Sequence, residues 1–406
     1  MNNSIFFNTN NPDLITKKIY LFGNGDIAAK TISKIRFKFK ILGIFDNKKT
    51  LWGIKTKDGL SILSPNFIKK IKKNSFHIII TTSSYNDVSK QLKSFGLKPN
   101  KDFSVTYLLQ DQSTIDEIQN YECKLSFTSG TFKKNKKNAG GGIYNLTLNK
   151  NNWKIEKKVS GSCYSIIENN NHYYFTHSEK GLVKSNKSFK ILKVFNLNSS
   201  LRAHGISYSK KYKSFFVACA NADKILMINE NLTKITNEFS ISNKKNEDEI
   251  SRHHCNDCFV KDDSLFVSVF SVSGNYKYDA YDGGIIEIDL NTGEKISVVK
   301  DNLIMPHNVM LINDKFHVLD SLKGNLLTNN FSIQGTFPGF SRGLDFDGKY
   351  YFIGQSRNRQ FSKHRNIMNN VSSDTGIIIF DNVNKVSRFL NLDNEISEVH
   401  QILIHK

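Results

Sequence analysis

The chain has few cysteines, and their number is odd. The five cysteines in 406 residues are Cys123, Cys163, Cys219, Cys255 and Cys258. Such a set argues against a disulfide framework and for a reducing compartment. Two of them form a C-x-x-C pair, but there is no second pair, and residues three apart on a strand point to opposite faces. We therefore interpret Cys255 and Cys258 as structural cysteines rather than metal ligands.

Long apolar runs are also missing. No run approaches the ~18 residues that a membrane-spanning helix needs. The N-terminus lacks the basic start and apolar core of a secretory signal. We predict a soluble protein in the cytoplasm with no membrane span.

Acidic residues are outnumbered. The chain has 57 Lys and Arg against 37 Asp and Glu, which gives a formal net charge of +20. Lysine is spread throughout, and the basic residues do not alternate with aromatic residues on one element, so nucleic acid is not an expected partner. The charge favours anionic ligands in a general way.

One short pattern recurs through the C-terminal two-thirds of the chain. In each copy a polar residue is followed by one further residue and then an apolar one, and a β-rich run with turn residues comes after. Repeats of this length with several short strands are typical of β-propeller blades, and we predict six blades. The leading residues of the six copies are Tyr164, His204, Asn256, His307, Arg342 and His400.

The two ends of this region complement each other. The chain ends in EVHQILIHK, a single inner strand, whereas residues 124–158 hold outer strands that lack an inner one. Pairing of the two would complete the sixth blade and remove an exposed sheet edge. We predict an all-β six-bladed propeller that is closed by its own N- and C-terminal strands.

The six leading residues are expected to ring one end of a central channel. His204, His307 and His400 fall on alternate blades, about 120° apart, and three such imidazoles can share a divalent metal (Zn, Fe or Mn). The same histidines can instead act as acid and base, with Arg342 neutralising developing charge. A third interpretation is that ring residues only bind one another and channel water.

The N-terminal region follows a different pattern. An apolar strand, a glycine turn with Gly23 and Gly25, a helix and a second strand ending in Asp46 succeed one another. This order predicts an α/β Rossmann-like domain that binds a nucleotide or nucleotide-sugar, with Asp46 near the ribose or base. Ser83 follows a third strand and is expected at the same crevice. We predict a lead at 1–16, this domain at 17–110, a linker at 111–121 and the propeller at 122–406.

Two propeller loops add candidate substrate contacts. Asp282 lies in a loop rich in Asp and Tyr, which suits a general base or sugar contacts but is also ordinary turn composition. Gln355 and Arg357 follow a strand of the fifth blade, where a guanidinium suits an anionic substrate group. Tyr164 and Asn256 of the ring complete the predicted substrate-binding set.

Both regions resemble known families. YLFGNGDIAAK, the IFDN strand end, DGLSILSP and IIITTSS resemble the Rossmann-like N-terminal domain of bacterial sugar O-acyltransferases, which implies a nucleotide-sugar site at Gly23, Gly25 and Asp46. The acyl-transferring β-helix of those enzymes is missing here. MPHNV, VLDSLKGNL, FPGFSRGLDFDG and FIGQSRNR resemble an uncharacterised bacterial family of six-bladed propellers, distantly similar to strictosidine synthase and gluconolactonase propellers.

Together these features favour an enzyme of surface-glycan or nucleotide-sugar metabolism. The first domain would hold the nucleotide, and the histidine ring would carry the chemistry, with or without a metal. The alternative is a non-catalytic propeller that binds a glycan or a partner. A lactonase-like hydrolase is disfavoured, because none of the six ring positions is a carboxylate. We also expect a homodimer formed through the first domain.

Overall fold

The structure, a computed structural model, describes residues 5–131, 140–242, 251–357, 367–368 and 370–405. The chain divides into two compact units, Met1–Glu117 and Ile118–Lys406. A helix, α3 (Gln110–Gln119), covers most of the predicted linker.

The first unit contains a five-stranded parallel sheet in the order β3-β2-β1-β4-β5. Its strands are β1 (Lys18–Phe22), β2 (Ile41–Phe45), β3 (Ile62–Leu63), β4 (Phe76–Ile80) and β5 (Phe103–Val105), and its helices are α1 (Asp26–Ile35) and α2 (Tyr85–Ser94). Ile19 and Leu21 of β1 pack in one cluster with α1, whereas Tyr20 and Phe22 pack in another with α2. The strands are almost continuously apolar because both faces of the sheet are covered. A parallel sheet with few helices is established, and its Rossmann-like character stays a prediction.

The second unit is a six-bladed β-propeller of four-stranded antiparallel sheets, as the repeats predicted. The chain first forms three outer strands, β6 (Glu122–Ser129), β7 (Gly142–Asn149) and β8 (Asn152–Ser160). Blades 1 and 2 follow with β9 (Cys163–Asn169), β10 (His172–His177), β11 (Gly181–Ser185) and β12 (Ile191–Phe195), then β13 (Ala203–Ser209), β14 (Ser214–Cys219), β15 (Lys224–Asn229) and β16 (Ile235–Ser240).

Blades 3 to 5 repeat the arrangement. Blade 3 contains β17 (Cys255–Lys261), β18 (Ser264–Val269), β19 (Gly283–Asp289) and β20 (Lys295–Leu303). Blade 4 contains β21 (Pro306–Ile312), β22 (Lys315–Asp320), β23 (Asn325–Thr328) and β24 (Ser332–Thr336). Blade 5 contains β25 (Phe340–Phe346), β26 (Tyr351–Ser356), β27 (Gly376–Asp381) and β28 (Val386–Asn391).

The last strand of the chain closes the ring. β29 (Gln401–Ile404) pairs antiparallel with β6, with Gln401 opposite Thr128 and Ile404 opposite Leu125. The sixth blade is therefore built from both ends of the propeller, in the order β29-β6-β7-β8. This closure leaves no unpaired inner edge at the junction.

Apolar side chains fill the spaces between neighbouring blades. Six hydrophobic clusters among the described residues each join one blade to the next around the ring. The cluster at the junction contains Phe127 of blade 6 and Phe352 of blade 5, both fully buried. Burial of a side chain of this size stabilises the fold by roughly 1.5–3 kcal/mol, so the ring is stabilised along its whole circumference.

Candidate functional site

The inner strands bring the predicted ring residues together. Five of the six leading residues line one narrow cavity of about 10 Å³, which is room for about one water molecule. Arg342, the sixth, places its Nη1 3.4 Å from His400 Nε2. The residues at this cavity, here called the ring site, are Tyr164, His204, Asn256, His307 and His400, together with Ser165, Gly205, Asp257, Asn308 and Gln401.

The cavity is lined by consecutive residues, which ordinary strand alternation would not allow. In blades 1 to 5 the register of the inner strand shifts at or beside the leading residue, for example between Cys255 and Asp257 and between Arg342 and Leu344. Such β-bulges insert an extra residue and turn the side chain beside it. In blades 1 to 4 the second residue of each pair therefore reaches the cavity as well. The polar or small residue that follows each leading residue was the sequence signal for this second tier.

Two imidazoles and a phenol ring pack closely at the ring site. The Tyr164 ring stacks on the His204 ring with centroids 4.7 Å apart, and the His400 ring lies 5.3 Å from that of His204. His204 and His400 are both almost fully buried. The His204 ring is stacked on Tyr164 and the His400 ring meets both edge-on, so packing restricts the plane of each imidazole.

A buried ion pair adjoins His400. Arg342 Nη1 lies 3.1 Å from Glu398 Oε1, and Glu398 Oε2 lies 3.1 Å from His400 Nε2. Arg342 also stacks its guanidinium over Phe340, with 4.6 Å between the guanidinium carbon and the ring centroid. Sequence reasoning missed Glu398, which lies two residues before a leading residue and outside any strand. The only signal was an acid beside a predicted channel histidine.

His307 is held by a different set of contacts. Its Nδ1 lies 2.9 Å from the carbonyl oxygen of Met305 and 2.8 Å from Ser321 Oγ. The rings of Phe270 and Phe340 lie 5.3 and 5.5 Å from the imidazole. Because a carbonyl oxygen only accepts, we assign the proton to Nδ1, which leaves Nε2 as the basic nitrogen.

The surroundings keep these histidines neutral. Burial lowers the pKa of His204 well below its ordinary value, and the neighbouring His400 and Arg202 lower it further. Burial likewise lowers the pKa of His307, with additional contributions from Arg342 and His400. A neutral imidazole can accept a proton, so both side chains are in the form of a general base at neutral pH.

Asn256 adds a buried amide nitrogen whose hydrogen-bond donors are unused among the described residues. Its side chain is 1% exposed, and its Nδ2 has no hydrogen-bond partner within the described parts of the chain. A buried donor of this kind is costly unless a water or ligand accepts from it. Asn256 is therefore placed to donate to an oxygen atom in the ring site.

The predicted metal role of the three histidines stays a prediction. Over the described ranges, no group of three or more His, Cys, Asp or Glu side chains is placed so that it could hold a metal ion. The guanidinium of Arg342 lies against His400 Nε2, where its charge would repel a bound cation. The donor set therefore suits acid–base chemistry better than metal ligation.

Three predicted substrate contacts are engaged elsewhere. Asp282 accepts a hydrogen bond from Ser271 Oγ at 2.6 Å. Gln355 is buried and donates from Nε2 to the carbonyl oxygen of Asp374 at 2.9 Å. Arg357 is half-buried and donates to the carbonyl oxygen of Asn394 at 3.4 Å. None of the three lines the narrow cavity of the ring site.

The predicted nucleotide-binding residues gather at the carboxyl ends of the parallel strands. Gly23 follows β1 with φ of 101°, Asp46 follows β2, and the exposed Ser83 follows β4. Gly25 is the N-cap of α1, and a Cβ atom there would meet no atom within 4 Å. The backbone at this helix start is therefore open to a ligand.

Asp46 also has a structural role. Its Oδ2 accepts from the backbone N–H of Asn24 at 3.0 Å, and its Oδ1 accepts from that of Lys48 at 2.8 Å. The carboxylate therefore ties together the two loops that follow β1 and β2. Each oxygen keeps a second lone pair for a ligand hydroxyl.

The expectation for Cys255 and Cys258 needs a correction. All five cysteines are free, and these two are buried in the same hydrophobic cluster rather than on opposite faces. The register shift between Cys255 and Asp257 turns the strand so that both thiols face the neighbouring blade. Burial raises the pKa of both thiols well above the ordinary range, so they remain protonated and unreactive.

Comparison with known proteins places both regions. Residues 155–405 match the family model described as a domain of unknown function, DUF4915. Residues 15–102 match the model described as C2185-like, N-terminal. No curated protein matches the chain.

The solved structures that match the chain are distant in sequence. A protein of unknown function from Bacteroides caccae has 14% identity and a TM-score of 0.48, with 70% of this chain and 99% of that chain covered. A chain of a nidogen/laminin complex has 10% identity and a TM-score of 0.47, with 70% and 98% covered. A streptogramin B lyase has 14% identity and a TM-score of 0.40, with 68% and 91% covered.

These matches correct the resemblances drawn from the sequence. The resemblance to sugar O-acyltransferases was wrong, because the N-terminal region matches the C2185-like N-terminal model. The C-terminal region matches DUF4915, a domain of unknown function, in agreement with the expected uncharacterised family. Among the described residues, no helix is both long enough and apolar enough to span a membrane, as predicted.

Proposed function

The chain belongs to the DUF4915 family, and we propose that it is an enzyme that performs general acid–base chemistry at the ring site. The substrate would be a hydroxyl-rich molecule with an anionic group, such as a sugar acid or nucleotide-sugar of surface-glycan metabolism. The observation that carries the proposal is the convergence of three buried histidines on one narrow cavity beside the guanidinium of Arg342. A cytoplasmic location belongs to the same proposal.

The side chains divide into proton-transfer and charge-stabilising groups. His307, with Nε2 as its basic nitrogen, and His204, held neutral by burial, would accept a proton from a hydroxyl or water in the cavity. Arg342, held by Glu398, would stabilise the negative charge that develops. Asn256 Nδ2 would donate to a substrate oxygen.

A buried ion pair beside the histidines supports preorganisation. Glu398 binds both Arg342 and His400, so the guanidinium and the imidazole are held in fixed positions before a substrate arrives. Fixed donors stabilise a transition state without the cost of reorganising at the moment of reaction. The small size of the cavity means that the bulk of a substrate would lie outside it, with only the reacting atoms at the ring.

The first unit would bind the nucleotide part of the ligand. Support comes from the open backbone at Gly25 and from α1, which begins without a side-chain cap, so its amide groups are available to phosphate oxygens. Asp46 would use its remaining lone pairs for a ribose hydroxyl.

The test is a product screen with matched histidine variants. Protein purified without an affinity tag is incubated with nucleotide-sugars and sugar acids, and products are followed by mass spectrometry. We expect turnover of at least one compound and a loss of at least about 10²-fold in His204→Gln and His307→Gln, the usual contribution of a general base. His172→Gln is the control, because His172 lies on β10 and does not line the ring site.

Other outcomes decide between the proposal and its rivals. A ligand that raises the melting temperature of the wild type but not of Arg342→Met, with no product from any compound, would favour a glycan-binding propeller over an enzyme. Elemental analysis of the same preparations tests whether the ring site binds a metal ion. Near-stoichiometric zinc, iron or manganese that disappears in a His204→Ala, His307→Ala double variant would establish a three-histidine metal site.

A further inference from the structure

A second cavity adjoins the ring site and shares four of its lining residues. It has a volume of about 360 Å³, which falls within the range of small-molecule sites. It is lined by residues that come one to six positions after the leading residues, so it lies beyond the ring site along the same inner strands. We call it the far cavity; its apolar wall is formed by Ile167, Ile206, Phe259, Val309 and Met310.

One carboxyl group is placed between the ring site and the far cavity. Asp257 lines both cavities, as do Ser165, Asn308 and Gln401. Its Oδ1 accepts a hydrogen bond from the backbone N–H of Cys258 at 3.0 Å. None of the ion pairs formed by the described residues includes Asp257. The carboxyl therefore lies in a partly apolar cavity without a basic side chain to balance its charge.

The other charged groups at the far cavity do not neutralise the charge of the Asp257 carboxylate. Glu168 lines the cavity, and its carboxylate already pairs with Lys187. Lys210 also lines it and is exposed to solvent, where its charge is screened. Burial raises the pKa of Asp257 to about 7, although backbone hydrogen bonds from Cys258 and Asn308 oppose the shift. The carboxylate form would thus gain from a bound cation.

We propose that the far cavity binds a small organic cation, a primary ammonium group on an apolar body. The ammonium would donate to Asp257, and the apolar body would lie against Ile206, Val309 and Met310. A charged amine is favoured over a neutral hydroxyl because it completes an ion pair that the protein lacks. The two cavities share Asp257 and three other lining residues, but amine binding uses none of the proton-transfer groups proposed at the ring site.

The methionines of the chain allow the site to be tested directly. The protein has five, which give a simple spectrum after labelling with ¹³C-methyl methionine. Met310 lines the far cavity, whereas the carbonyl oxygen of Met305 contacts His307 at the ring site, and Met227 lies on β15 away from both. Signals are assigned with Met310→Leu, Met305→Leu and Met227→Leu.

The probe is n-butylammonium, and n-butanol is its neutral control of similar shape. We expect n-butylammonium to shift the Met310 signal in a saturable way while the Met227 signal stays in place. In Asp257→Asn the affinity should fall at least about tenfold, the loss expected for one charge-assisted hydrogen bond. n-Butanol should bind the wild type at least about tenfold more weakly than n-butylammonium.

A second variant guards against misfolding of Asp257→Asn. Ile167→Phe adds volume to a half-buried wall residue, and it should abolish the Met310 shift without touching the carboxyl. Equal binding of the two probes with no effect of Asp257→Asn would mean a merely apolar cavity and overturn the proposal. So would a shift of Met305 alone, or no saturable shift of Met310 in the wild type.

Discussion

The ion pair between Arg342 and Glu398 is expected to dominate the response of the propeller to substitution near the ring site. Both side chains are almost fully buried, with 5% and 3% exposure, and their charged atoms are 3.1 Å apart. At that distance and an effective dielectric constant of about 20, the attraction is about 5 kcal/mol. Glu398→Gln keeps the shape of the side chain but removes the charge that balances the guanidinium. We expect the free energy of unfolding to fall by about 3–5 kcal/mol.

The two tryptophans make the measurement specific for the propeller. Trp52 lies in the first unit and Trp153 in the second, on β8. In a Trp52→Phe background, fluorescence during urea unfolding therefore reports on the propeller alone. The assay compares Glu398→Gln, Arg342→Met and the double variant.

The double variant and an exposed ion pair serve as controls for the effect of Glu398→Gln. Removing both charges should recover most of the loss, because the cost of Glu398→Gln is mainly that of leaving a charge buried without its carboxylate. Asp314→Asn is the control, since Asp314 pairs with Lys261 at 2.5 Å but both side chains are exposed, and its effect should be much smaller. The reasoning is refuted if Glu398→Gln destabilises no more than Asp314→Asn, or if the double variant loses the sum of the single losses.

Two further predictions concern pH and packing. His204 and His307 have pKa values lowered by burial, so the unfolded chain binds more protons than the native state below about pH 6.5. Each histidine therefore lowers the free energy of unfolding by about 1.4 kcal/mol for each pH unit that the pH falls below that value. Between pH 7.5 and 5.5, the free energy of unfolding in urea should therefore depend less on pH in the His204→Gln, His307→Gln double variant than in the wild type. Asp257, whose pKa is raised to about 7, contributes with the opposite sign in both proteins. Parallel curves for the two proteins would contradict the lowered pKa values of the histidines. Gly205→Ala would place a Cβ atom 2.6 Å from Asp257 Cα and should lower the melting temperature in a calorimetric scan. Gly25→Ala is the control and should change the melting temperature little, because a Cβ atom there meets no atom within 4 Å. Similar shifts in the two variants would rule out the close packing of blades 2 and 3.

The ring site itself could be predicted only in part. A polar residue at the start of each inner strand was visible in the repeats, and five of the six line one cavity, with Arg342 against His400. Asp257 and Asn308 were not foreseen, because a regular strand would turn them away from the channel. Glu398 was missed because it approaches Arg342 from 56 residues away, across the boundary between blades 5 and 6.

Two further expectations differ in their outcome. The prediction that Gln355 contacts a substrate stays a prediction; the residue lies on β26, packs against Gly339 and donates to the carbonyl oxygen of Asp374. Cys255 and Cys258 were expected on opposite faces, but the bulge between them turned both into one core. For the two cysteines the local pattern predicts a regular strand, and the register shift turns both thiols towards the neighbouring blade.

The sequence by itself determined the number of blades, the closure of the ring by β29 and β6, and the parallel sheet of the first unit. These follow from local periodicity and from the order of strands, which are properties of neighbouring residues. Only the tertiary structure decided which side chains meet, namely Glu398 with Arg342 and Asp257 between two cavities. Those contacts depend on ring closure and on bulges in the inner strands, and both arise when distant strands pack together.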